Sequence, residues 1–225
     1  MMIFEKFTSE SDLRHFLRGC TAFSGEPLDI DALEHGPRDV AHLVRAIHQK
    51  REIEFGRDAN GNGVCRSRKS ETLVRVVGEQ LVERYREVNG VYVPTPLDVV
   101  RTLSETGIEG ETPEETLLRC FIEEAGLAVA KTDIHRASKP NITDFGDPRD
   151  RHKSSVYLGL WRQTMVTRFF TNFKERPEPF KERLEITDED TKVFGDWEPE
   201  TLHGPWDDAP DLWKQLVTGR TRDHS

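Results

Sequence analysis

Two hydrophobic rhythms alternate along the chain. Leu13, Phe16 and Leu17 recur at helical spacing after Ser9-Glu10-Ser11-Asp12, a helix-opening run, and Gly19 follows as a stop. Val40, Leu43, Val44 and Ile47 repeat the i, i+3, i+4, i+7 stripe, which predicts a second helix opening at Pro37. The turn-rich stretch GRDANGNGVCRSRKS reads as a linker or flexible loop. From Thr72 the period shortens to that of strands. LVRVVG is a short β run, and LVERYREV and VYVP flank Asn89-Gly90, a hairpin signal. DVVRTL, SSVYLGLW, QTMVTRFFTNF and KVFGDW read as further strands, and DAPDLWKQLV as a closing helix. Terminal helices around a strand–loop–helix–strand middle predict a mixed α/β domain.

Composition narrows the function classes. The chain has 225 residues, 35% hydrophobic and 32% charged, with a net charge of −9. That balance excludes general binding to nucleic acid or to an anionic membrane surface. No apolar run reaches membrane-spanning length, and the mixed charges of the first residues do not make a secretory signal. Cys20, Cys65 and Cys120 form neither a disulfide framework nor a CxxC zinc pattern. Reduced thiols in a cytoplasmic protein are the expectation.

The stretch GETPEETLLRCFIEEAGL, from Gly110 to Leu127, carries the chemistry. Pro113 suits a first helical turn and Gly126 a C-terminal stop, with Leu117, Leu118, Phe121 and Ile122 as the buried stripe. Positions 120, 123 and 124 project to one side of that helix. Carboxylates there are the hard oxygen ligands that Mg²⁺ or Mn²⁺ requires. Arg119 borders the same face, and Glu111 precedes the helix.

This arrangement resembles the Nudix hydrolase superfamily. Glu111 matches the first glutamate of the family's box, and Arg119, Phe121, Glu123, Glu124, Gly126 and Leu127 follow in register. Two positions depart from the pattern. Glu105 stands where the box begins with glycine, and Cys120 replaces the first helix glutamate, a metal ligand in many members. The resemblance implies an α/β/α sandwich, over residues 67–205; the periodicity adds a helical extension over residues 1–66 and a C-terminal helix and tail over residues 206–225. It also implies hydrolysis of a pyrophosphate bond in a nucleoside diphosphate derivative, with Mg²⁺ or Mn²⁺ held by Glu111, Glu123 and Glu124. Arg119, Glu123 and Glu124 are then the catalytic set. A general base from a later loop is sought among Glu182, Glu185, Asp188, Glu189 and Asp190.

The alternative is a Nudix-fold module that Cys120 has weakened or silenced, binding a nucleotide, an ADP-ribose-like ligand or a protein partner. Under either reading, residues 1–55 suit partner contact or a homodimer. Within the basic stretch 131–153, Lys139, Arg149, Arg151 and Lys153 are candidates to meet substrate phosphates. Asp58 opens a run resembling a calcium loop, but Lys69 occupies the position where such a loop needs glutamate. A glycine-rich turn is the expectation there.

Overall fold

The computed structural model describes residues 3–4, 6–7, 9–88, 90–95, 101–137, 152–154, 156–188 and 191–200. It is a mixed α/β structure with few helices, and its residues divide into two units. The first unit comprises Met1–Lys69, Thr106–Glu111 and Ile142–Val166. The second comprises Ser70–Glu105, Thr112–Asn141 and Thr167–Ser225.

In the first unit, α1 (Glu10–Arg18) starts where Ser9 Oγ accepts the Asp12 amide at 3.1 Å. Leu13, Phe16 and Leu17 are its buried face, as the spacing predicts. A five-residue helix, α2 (Ile30–Glu34), is too short to show a period and is capped by Asp29. The next helix, α3 (Val40–His48), opens three residues later than Pro37. The Asp39 carboxylate accepts the His42 amide at 2.8 Å, which fixes the cap at Asp39. Rings of Phe7, Phe16 and Phe55 meet edge-on or tilted at the centre, with centroids 5.0 to 6.0 Å apart. Leu33, Leu43, Tyr157 and Leu160 belong to the same cluster.

The expected linker is instead a hairpin. After the two-residue strand β1 (Ile3–Phe4), β2 (Glu54–Arg57) pairs antiparallel with both β1 and the start of β3 (Gly63–Val76). The Asp58 carboxylate accepts the amides of Asn60 and Asn62 at 2.8 and 3.0 Å, so the turn is confined to the residues between the strands. Val64 and Cys65 then follow, both buried.

In the second unit, β3 continues into a hairpin with β4 (Glu79–Val88), and β4 folds back on β5 (Val91–Pro94) with Val88 opposite Val91. Gly90 has φ of 78°, the backbone that the hairpin signal requires. The strand expected from DVVRTL begins only at Leu103, as β6 (Leu103–Thr106), which pairs with β3. Its first three residues lie outside the described ones.

The helix expected after Thr112 is α4 (Pro113–Ala125). Thr112 and Glu115 cap it reciprocally, and Gly126 ends it at φ of 62°. Leu117, Cys120 and Phe121 are fully buried, whereas Ile122 is 59% exposed and Leu118 half-buried. Cys120 therefore takes the core position one turn after Thr116 and Leu117, and Ile122 is rotated out to the surface.

Three further strands follow in β7 (Ile134–Arg136), β8 (His152–Lys153) and β9 (Trp161–Asn172). Within the expected strand SSVYLGLW, the described residues 154 and 156–160 form no strand, which begins only at Trp161. Ser154 Oγ accepts the Tyr157 amide at 2.9 Å, and Gly159 has φ of 84°. Both β3 and β9 contribute residues to each unit. They pair at a constant offset of 97 residues, which makes them parallel and the sheet mixed. Finally, β10 (Leu184–Asp188) pairs with β11 (Thr191–Pro199), which lies beside β4, and α4 packs on β10. The closing helix expected from DAPDLWKQLV lies outside the described residues. Among the described residues no helix is long and apolar enough to cross a membrane.

Candidate metal centre

Three donors converge in the second unit. A carboxylate oxygen of Glu105, the thiol of Cys120 and a carboxylate oxygen of Glu124 all lie within 4.8 Å of one another. Cys120 and Glu124 stand one turn apart on α4, so their pairing follows from helical geometry. Glu105 arrives from β6. Alternation along that strand puts it on the same side as Leu103, which packs with Leu117 and Cys120. Cys120 is fully buried, and Glu105 and Glu124 are half-buried.

Burial, reinforced by the negative charges of Glu124 and Glu105, pushes the Cys120 thiol well above its ordinary pKa. At neutral pH it is a protonated thiol. Arg119 stands beside the group, its Nη1 donating to Glu123 Oε2 at 3.0 Å and lying 3.8 Å from Glu105 Oε1. Glu123 itself is exposed, and it is not one of the three converging donors.

A buried ion network borders the cluster. Glu83, with 1% of its side chain exposed, accepts from Arg86 Nε at 2.7 Å, Arg101 Nε at 3.0 Å and Thr95 Oγ1 at 2.8 Å. Burial alone would raise its pKa, but the hydrogen bonds from Arg86 and Arg101 hold it down to about 2. Arg86 is raised by its bond to Glu83, and the negative charges of Glu124 and Glu71 contribute. Glu71 in turn pairs with Arg101 at 3.1 Å and Arg168 at 3.3 Å. Nη1 of Arg168 is buried without a hydrogen-bond partner among the described residues.

The remaining sequence candidates are placed as follows. Glu111 lies in the first unit, where its Oε2 accepts the Ile108 amide at 3.2 Å and braces the loop before α4. Lys153 is exposed in the first unit, 4.7 Å from the centre of the Phe23 ring. Lys139, Arg149 and Arg151 lie outside the described residues, as do Glu189 and Asp190. Glu185 is paired with Arg183 at 2.6 Å, and Glu182 is exposed. Sequence reasoning missed Glu105 and Arg86. The period-two pattern from Leu103 to Glu105 was the available signal for the first. Arg86 had none, because its role depends on a buried partner three residues away in β4.

No known family's model matches the chain, and no curated protein sequence matches it. Among solved structures it is similar to a MutT/nudix family protein from Enterococcus faecalis, at 13% identity and a TM-score of 0.30. The similarity covers 84% of this chain and 64% of that one, so the chain spans less than two thirds of that protein's length. Likeness at this level carries no argument about activity.

Proposed function

We propose that the protein is a divalent-cation-dependent hydrolase of the pyrophosphate bond in a nucleoside diphosphate derivative. One observation carries the reading: Glu105 brings a second carboxylate to Glu124 on the helix face where Cys120 replaces one. The box register of Glu111, Arg119, Glu123 and Glu124 supports it. The donor set fits Mg²⁺ or Mn²⁺, which bind through one or two carboxylates and fill their remaining positions with water and phosphate oxygens. Glu105 and Glu124 would hold the ion, and the neutral Cys120 thiol would remain in the wall as a small apolar group.

An ion held there would supply neutralisation of the charge that develops on the phosphates. Arg119 holds Glu123 and Glu105 in place, and Arg86 adds a fixed positive charge near Glu124. Glu111 stiffens the loop that leads into α4. The buried neutral thiol at a ligand position is the observation favouring the rival reading, a module that binds such a ligand without cleaving it.

The experiment is chromatography of a panel of nucleoside diphosphate derivatives incubated with the protein and Mg²⁺ or Mn²⁺. Cleavage is expected, with Glu124→Gln and Glu105→Gln each lowering kcat by about a hundredfold or more. A panel that stays intact, with one compound raising Tm, would establish the binding module instead.

A further inference from the structure

A pocket lies wholly within the first unit. Its volume is about 390 Å³, and Phe7, Ile47, Ile53 and Phe55 contribute its apolar lining. Lys6, Arg51, Arg66 and Arg68 line it with positive charge, against Glu52, Glu54 and Glu109. The balance is one positive charge in a protein of net charge −9.

Arg51 is the telling residue. Its φ of 56° lies in the left-handed region, and it is the one non-glycine residue described there. The chain reverses at this point after α3, with the Glu52 amide returning to the Ala46 carbonyl at 2.9 Å. Glycine would adopt that backbone without strain. Arginine instead delivers a guanidinium to the pocket, where Nε and Nη2 both reach Glu109 Oε2 at 3.0 and 2.5 Å. The Arg51 carbonyl also accepts the Glu109 amide at 3.0 Å. The Glu109 carboxyl is held below its ordinary pKa by that guanidinium, and the charges of Lys6 and Arg68 contribute. Glu54 is engaged separately, by Arg68 at 3.0 Å and Arg66 at 3.9 Å.

We propose that the Lys6–Arg51–Arg68 cradle is a binding site for a small phosphate-bearing anion, and that Glu109 occupies it as an internal counter-ion which the ligand displaces. Arg51 grips this exposed carboxylate directly, and the charges of Lys6 and Arg68, which line the same pocket, act on it; a phosphate suits such a setting better, with more acceptor oxygens and a larger charge. The side chain being displaced is half exposed to solvent, and it can swing out without opening the core. The apolar wall beside the cradle suits an organic group attached to the phosphate. Arginine in place of glycine keeps a guanidinium in the pocket at the cost of a left-handed backbone.

Calorimetric titration of the full chain with inorganic pyrophosphate tests the proposal, in EDTA and at constant ionic strength so that no metal centre contributes. Arg51→Gly removes the guanidinium while relieving the backbone, so this variant stays folded and should bind about tenfold more weakly. Glu109→Gln removes the internal competitor and should bind about fivefold more tightly. Lys6→Ala should weaken binding without altering Tm. Pyrophosphate binding that is absent, or unchanged in Arg51→Gly, overturns the site. Binding that weakens in Glu109→Gln overturns the displacement. Hydrolysis of nucleoside diphosphate derivatives is read separately and bears on neither result.

Discussion

Cys120 has no exposed surface, yet its sulfur lies within 4.8 Å of two carboxylates. A third carboxylate at this position would be a buried charge facing two like charges, unless a cation joined them. Cys120→Glu should therefore destabilise the metal-free protein by ~3 kcal/mol or more. Mn²⁺ should restore much of that loss, because binding to the folded state alone raises its stability. Thermal melts of the variant in EDTA and in Mn²⁺ check this. A variant indifferent to Mn²⁺ would mean that the three donors do not share an ion.

Spacing along one helix made Arg119, Cys120, Glu123 and Glu124 legible as a group. It did not say which of the two adjacent glutamates faces inward, since both satisfy the i+3 or i+4 relation to Cys120. Nor did it reveal Glu105, whose approach depends on the pairing of β6 with β3, a contact between residues far apart in sequence.

Element boundaries followed the chemistry of caps and turns. The limits of α1 and α4 were readable because Ser9, Gly19, Pro113 and Gly126 act on the backbone within four residues. The β4–β5 hairpin was readable for the same reason at Gly90. The β2–β3 hairpin was not, since its glycines and basic residues mimic a loop and only Asp58 shows how short the turn is. The turn at residues 156–160 reads as a strand because the apolar side chains of Val156, Tyr157 and Leu160 enter a core rather than a pleat.

Strand β4 is tied to the chain before β6 by Glu83, which binds Arg101 and Arg86. Its pKa falls from an ordinary 4.5 to about 2 on folding. A depressed carboxylate stabilises the fold above its unfolded pKa, and that stability is lost as pH falls through the folded value. The window is thus from 4.5 down to about 2, and the amount is ~3 kcal/mol. Denaturant midpoints measured across this range should fall for the wild type and much less for Glu83→Gln. Near neutrality the variant should already be less stable by ~3 kcal/mol, because the favourable pairing that depresses the Glu83 carboxyl is lost.

Across the whole molecule, apolar side chains gather into separate clusters that follow the two units. Leu13, Leu17, Leu43 and Phe55 belong to one cluster, all within the first unit. Leu81, Leu117, Phe121 and Phe169 belong to another, all within the second. Each unit therefore has its own reservoir of buried apolar surface, while β3 and β9 run through both as continuous chain. Leu43→Ala and Leu81→Ala each remove a fully buried leucine, at a cost of ~2–5 kcal/mol. Opening free energies vary from segment to segment in a folded chain, so the loss should be local first. Hydrogen exchange of Leu43→Ala should accelerate in the amides of α1 and α3 while β4 and β11 retain wild-type protection. Leu81→Ala should do the reverse. Uniform acceleration in both variants would show that the shared strands bind the two clusters into one cooperative unit despite their separate cores.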